Sequence, residues 1–170
     1  MPEALINKLE PPDSHHLEAA QGWLGLGDWM SANQELDSIR IEFCTHPGVL
    51  QARFQVYAAA NLWPMAAEMA RALTALVPDN PFGWIDWAYS LYELKRLPEA
   101  RTVLLSVVDK FPGDYLIRYS LACYACQMGD LKEASQWLER AVGIADAKDV
   151  KQMVLNNPDL QPLWDKMGES

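Results

Sequence analysis

The sequence predicts an all-α protein built from four consecutive helix-turn-helix units and closed by a C-terminal helix. Three observations carry this. Laid on itself at an offset of 34 residues, the chain puts Ala32, Ala66, Ala100 and Ala134 in one column. Apolar columns flank that one at helical spacing: Trp29, Trp63, Leu97 and Leu131 three residues before it, Leu36, Ala70, Leu104 and Leu138 four after it, and Ile39, Leu73, Val107 and Ala141 three further on. Steps of three and four between apolar positions mark one face of a helix. Helix-breaking residues recur at matching places between the stripes.

The apolar columns describe the second helix of each unit, and the first helix has its own stripe. It is clearest in the third unit, where Trp84, Trp87, Ala88 and Leu91 stand at i, i+3, i+4 and i+7. The break between the two helices falls at Gly27, Asn61, Lys95 and Gly129. Gly and Asn accept the positive φ of a left-handed helix end, and Lys95 fits that role least well. Second helices open on Pro64 or Pro98, whose missing N–H costs nothing in a first turn, or on Asp28 or Asp130, which can cap free N–H groups. Pro78-Asp79-Asn80-Pro81 and Pro112-Gly113-Asp114 separate the later units.

The units are expected at about residues 13–46, 47–80, 81–114 and 115–146, after an N-terminal extension over 1–12. Residues 147–170 read as a capping helix and tail. There, Val150 to Leu155 is apolar, Asn157-Pro158-Asp159 is a stop and start, and Leu160, Leu163, Trp164 and Met167 recur at helical spacing. A stack of repeats leaves the apolar face of its last unit bare, so a terminal helix is expected to cover it.

Composition agrees. The chain has 170 residues, half of them hydrophobic, the size of one ordinary domain with a core of its own. No apolar stretch approaches the length of a membrane span, and no charged and apolar leader precedes the repeats. With three cysteines, Cys44, Cys123 and Cys126, the expected setting is cytoplasmic and reducing. The formal net charge of −9 and scattered Lys and Arg offer no basic stripe, so neither nucleic acid nor an anionic membrane is an expected partner.

The periodicity resembles the tetratricopeptide repeat, whose 34-residue signature runs W-x2-L-G-x2-Y, A-x3-F and P. The resemblance covers about residues 13 to 146. The third unit supplies Trp84, Ala100 and Pro112, with Trp87, Ala88, Leu91, Leu104 and Val107 as residues of similar character. The second supplies Tyr57, Ala66 and Pro78, and the fourth Leu121, Ala134 and Ala141. The first has His16 in the Trp column and Cys44 in the Pro column, and Phe54 stands where the family usually has Gly or Ala.

The resemblance implies a solenoid, a right-handed superhelix of four repeats plus a capping helix, whose first helices line a concave groove. Carried over by column, the groove would take Phe82, Ile85, Tyr89, Tyr92 and Glu93 from the third unit. The fourth would add Leu116, Tyr119, Cys123, Cys126 and Gln127, and the first two units give the milder Ser14, Leu17, Gln21, Leu24, Gly25 and Gly48, Gln51, Gln55, Ala58, Ala59. The residues assigned to partner binding are Phe82, Ile85, Tyr89, Tyr92, Leu116, Tyr119 and Cys123, alternatives being packing between first helices or cover by the C-terminal segment. The columns that carry a carboxylate clamp in some members lack basic groups here, so an acidic C-terminal tail is not the expected ligand.

Candidate chemistry is sparse. Cys123-Tyr124-Ala125-Cys126 is a C-x-x-C, but it lies within a predicted helix rather than at a helix N-terminus beyond a strand, where a thiolate would be stabilised. It reads as two small residues packing in or beside the groove. His15, His16 and His46 do not converge as metal ligands, and Gly22, Gly25 and Gly27 end a helix rather than cradle a phosphate. No nucleophile and base stand together, so an enzyme is not expected and no cofactor is implied.

The expected function is an adaptor or interaction module holding a protein or peptide by apolar contacts. A small acidic chaperone of the secretion type is the alternative, and a thiol redox protein a remote one. A homo-oligomer is compatible with the sequence.

Overall fold

The structure is a computed structural model in which residues 8–168 are described. Among these are ten α-helices, two 3-10 turns and no strand. The chain divides into two compact units, residues 1–90 and 91–170. The first holds α1 (Asp13–Gly25), α2 (Trp29–Asp37), α3 (Pro47–Ala59), α4 (Trp63–Leu76) and most of α5 (Pro81–Glu93). The second holds the end of α5, then α6 (Leu97–Leu105), α7 (Tyr115–Gln127), α8 (Leu131–Ile144), α9 (Ala147–Leu155) and α10 (Gln161–Gly168). Helices consecutive in sequence pack as antiparallel pairs, α1 on α2, α3 on α4 and α7 on α8.

Local chemistry explains the punctuation. The breaks at Gly27, Asn61, Lys95 and Gly129 all carry positive φ, at 79°, 57°, 63° and 86°. Lys95 therefore adopts the left-handed conformation despite its side chain. Asp28, Asp114 and Asp130 accept hydrogen bonds from Ser31, Ile117 and Glu133 amides, and Asn80 accepts from the Phe82 amide, so these helices begin on a satisfied cap. His46 does the same for α3, its Nδ1 accepting from the Gly48 N–H at 3.1 Å.

Every member of the alanine column, Ala32, Ala66, Ala100 and Ala134, is 0% exposed. A methyl is what the close approach of paired helices leaves room for. The first-helix column reads Ala20, Phe54, Ala88 and Ala122, all buried. Its one large member is matched by the one small member of a second-helix column, Ala70 among Leu36, Leu104 and Leu138. Phe54, Ala66 and Ala70 form one buried cluster, edged by Trp63, Met69 and Trp87. Phe54 thus occupies volume that a leucine fills in the other repeats.

Two second helices end early. The helices α2 and α6 have 9 residues each, where α4 and α8 have 14. After α2, the buried Asp13 carboxylate accepts from the Arg40 backbone N–H at 2.9 Å and its Nε at 2.8 Å, holding residues 38–40 out of the helix. After α6, buried Arg118 donates to the carbonyls of Val108, Phe111 and Asp114 at 3.2, 2.9 and 2.8 Å. In each case a side chain from another helix satisfies backbone groups of the segment that follows the shortened helix.

At the N-terminal end Leu9 is buried with Ala20, Ala32, Leu36 and Val49. The rest of the expected extension, residues 1–7, lies outside the described residues. At the other end the expected capping helix is two short helices, because Pro158–Leu160, capped by Asn157, forms a 3-10 turn between them. Leu160 and Leu163 are buried and Trp164 partly so, while the Met167 side chain lies outside the described ones.

Candidate functional site

The seven residues assigned to partner binding divide between the two units. In the first, Phe82, Ile85 and Tyr89 recur at i, i+3 and i+7 on α5. Phe82 is 56% exposed and Tyr89 43%, with Ile85 half-buried between them. The Tyr89 ring meets Trp63 of α4 edge-on, centroids 5.4 Å apart, which fixes its orientation. Trp84 and Trp87 lie against each other at 6.1 Å, and the Trp84 indole N–H donates to the Pro78 carbonyl. On the same helix the half-buried Asp86 accepts from Gln51 Nε2 of α3 at 3.3 Å, and burial pushes its carboxyl up to about 6.

In the second unit the picture differs. Tyr92 stacks on Tyr124 at 5.5 Å, and its hydroxyl donates to Asp159 Oδ2 at 2.5 Å. The Tyr119 hydroxyl donates to the Met153 carbonyl at 3.3 Å and accepts from Asn157 Nδ2 at 2.7 Å. Leu116 is half-buried. Cys123 is 5% exposed and in contact with Asn157 Nδ2 at 3.4 Å. Gln127 donates to the Asp159 carbonyl at 2.6 Å. The C-terminal segment therefore occupies this face of α7.

The two thiols are not poised for redox chemistry. Burial pushes Cys123 up to about 12, aided by the nearby Asp159 carboxylate, and burial raises Cys126, which is 2% exposed. Desolvation moves both away from the thiolate that nucleophilic chemistry needs. Burial also raises Tyr119 to about 12, and no group of three His, Cys, Asp or Glu among the described residues could hold a metal ion.

Two part-buried charged groups pair across the repeats. Arg101 of α6 is paired with Glu133 of α8 at 2.7 Å, and the same carboxylate oxygen accepts from the Trp137 indole N–H at 3.1 Å. Spacing within one repeat could not reveal this pair, because its members come from different repeats.

Sequence reasoning also missed Asn157 and Asp159 as partners of the groove residues, reading Asn157-Pro158-Asp159 only as a turn. A hydrophobic depression of about 820 Å³ in the first unit, bordered by Ile39, Ile41, Leu50, Tyr57 and Met69, was likewise unforeseen. It opens beside the shortened α2, and its one arginine, Arg53, is already engaged by Asp37 and Asn33.

The paired helices, buried alanines and left-handed breaks define a helical-repeat protein. The tetratricopeptide-repeat profile matches residues 51–115 and 85–149, and the chain belongs to that family. Among solved structures, it resembles TTC0263, a thermophilic TPR protein of Thermus thermophilus, with a TM-score of 0.69 and 16% identity over 92% of this chain and 89% of that one. MamA (AMB-1) aligns with a TM-score of 0.62 at 16% identity over 78% of each chain, and MamA (MSR-1) with 0.65 at 15% over 94% and 98%. At these identities the likeness speaks for the fold alone. No curated protein matches the sequence. No helix among the described residues is long and apolar enough to cross a membrane.

Proposed function

We propose that the protein is a binding module that holds a peptide or protein segment on the face of α5 bearing Phe82, Ile85 and Tyr89. The family supports protein interaction in general. The observation that carries the finer reading is the exposure of Phe82 and Tyr89 on a helix whose Ala88 and Leu91 are buried. Large rings at i and i+7, one held in place by Trp63, offer preorganised apolar area, and such anchors concentrate binding energy. Tyr92, Leu116, Tyr119 and Cys123 belong to this reading only when the C-terminal segment is away from them.

A photoreactive phenylalanine analogue at position 82, compared with one at exposed Lys132, identifies what this face touches in the native host. Affinity is then measured with the purified partner. Phe82→Ala or Tyr89→Ala is expected to weaken binding about thirtyfold, the effect of losing about 2 kcal/mol at a hot spot, while Lys132→Ala leaves it unchanged. Arg101→Ala is unsuitable as a control because it breaks the Glu133 pair. Equal affinity for the Phe82 and Tyr89 variants, with loss at Lys132, would show that the partner binds elsewhere.

A further inference from the structure

The cover on α7 is more specific than an apolar cap requires. Tyr119, Cys123 and Gln127 stand four residues apart along one edge of the helix, and each meets a polar group of the C-terminal segment. Asn157 spends its amide on Tyr119 and Cys123, while its oxygen holds the Asp159 N–H at 2.9 Å. Asp159 receives the Tyr92 hydroxyl on its side chain and Gln127 on its carbonyl. Leu160 and Leu163 are buried beside these contacts. Burying one leucine on a cap needs none of this hydrogen bonding; reading a particular short sequence does.

The segment is built of short helices. Its helices have 9 and 8 residues, below the length at which a helix of about 12 to 15 residues becomes marginally stable alone. A shallow groove of about 500 Å³ runs along the junction of α8 with α9 and α10, lined by Leu138, Val142, Val150, Val154 and Trp164. Short terminal elements are among those that open locally rather than only with the whole fold.

We propose that Asn157–Leu163 is an intramolecular ligand of the α7 face, displaced by a peptide of the same chemistry: a carboxamide and a carboxylate two residues apart, followed by Leu-x-x-Leu. Its release uncovers Tyr92, Tyr119 and the Cys123 and Cys126 thiols. The inference rests on reading first helices as the ligand-binding faces of these repeats. Tethering gives the internal segment an effective concentration on the order of millimolar, so a free peptide competes poorly until the tethered one is weakened.

The test uses the full chain with Cys44→Ser, which leaves Cys123 and Cys126 as the only thiols. Labelling by an aromatic disulfide reagent is followed at rising urea, with global unfolding monitored by circular dichroism. A displaceable ligand gives labelling at low urea that hardly depends on urea and outpaces global unfolding. Asn157→Ala and Asp159→Asn should then speed labelling about tenfold or more, as expected for losing one or two charge-assisted or buried hydrogen bonds. A synthetic peptide of residues 156–168 should bind the Asn157→Ala variant and slow its labelling, with no effect on the parent. Labelling that tracks global unfolding in the parent overturns the proposal even if a variant fails to fold, and so does a folded variant that ignores millimolar peptide. Because the probe is the chain's own segment, absence of an outside partner at Phe82 and Tyr89 leaves the result standing.

Discussion

Asp86 shows what a single half-buried carboxyl does to this fold. Burial raises it from 3.8 to about 6, and the bond from Gln51 offsets only part of that. Between those values the folded chain holds a proton that the unfolded chain has released, so stability is full below about pH 4 and declines as pH rises through 6. Asp86→Asn should therefore raise the melting temperature at pH 7.5 and have little effect at pH 4, with a gain of at most about 3 kcal/mol. A pH-independent effect of the substitution would contradict this cause. Backbone strain at Lys95 gives a second expectation at this scale. With φ at 63° it stands where glycine is easiest, so Lys95→Gly should stabilise by up to about 1 kcal/mol and Gly129→Ala destabilise by about as much, read from urea midpoints. The break at Lys95 was legible because repeat register fixes the position even when the residue type argues against it. The Asp86 environment was not, since Gln51 lies 35 positions away on another helix.

At the level of helices, the exchange of large and small residues between α3 and α4 explains a departure from the family pattern that looked unfavourable in the sequence. Phe54→Ala should cost about 3 to 4 kcal/mol by leaving a cavity beside Ala66 and Ala70, and Ala70→Leu should cost about 1 to 3 by overfilling the same space. Together they restore the pairing found in the other repeats, so the double variant should lose much less than the sum, measured by chemical denaturation. Simple additivity would mean that the two side chains do not share volume. Each column was legible alone. Their compensation needed the knowledge that residues 16 apart in sequence face one another across the pair. The early ends of α2 and α6 were hidden for a related reason: Asp13 and Arg118, which terminate them, act from other helices.

For the molecule as a whole, stability in a repeat stack is close to a sum of local and nearest-neighbour terms, so an exposed end weakens what lies next to it. Ending the chain after residue 146 would strip Val150, Val154, Leu160 and Leu163 from the apolar surface they cover, together with the hydrogen bonds that Tyr119 and Gln127 of α7 make to the segment. Such a truncation should melt at lower temperature and self-associate in a concentration-dependent way, seen by light scattering. Equal stability and a monomeric state would show that the segment contributes nothing to the stack. The repeat count, helix pairing and family were legible because they rest on periodicity; the self-occupied face of α7 was not, because it depends on a non-repeating segment meeting columns that periodicity only numbers. The Phe54 and Ala70 exchange also constrains how such a chain can be recombined. A crossover between those positions with any sister repeat joins either two bulky residues or two small ones, whereas crossovers outside them transmit a matched pair. The second repeat is thus inherited intact or not at all, and viable shuffled descendants should have their junctions in the turns around residues 44–46 and 77–80.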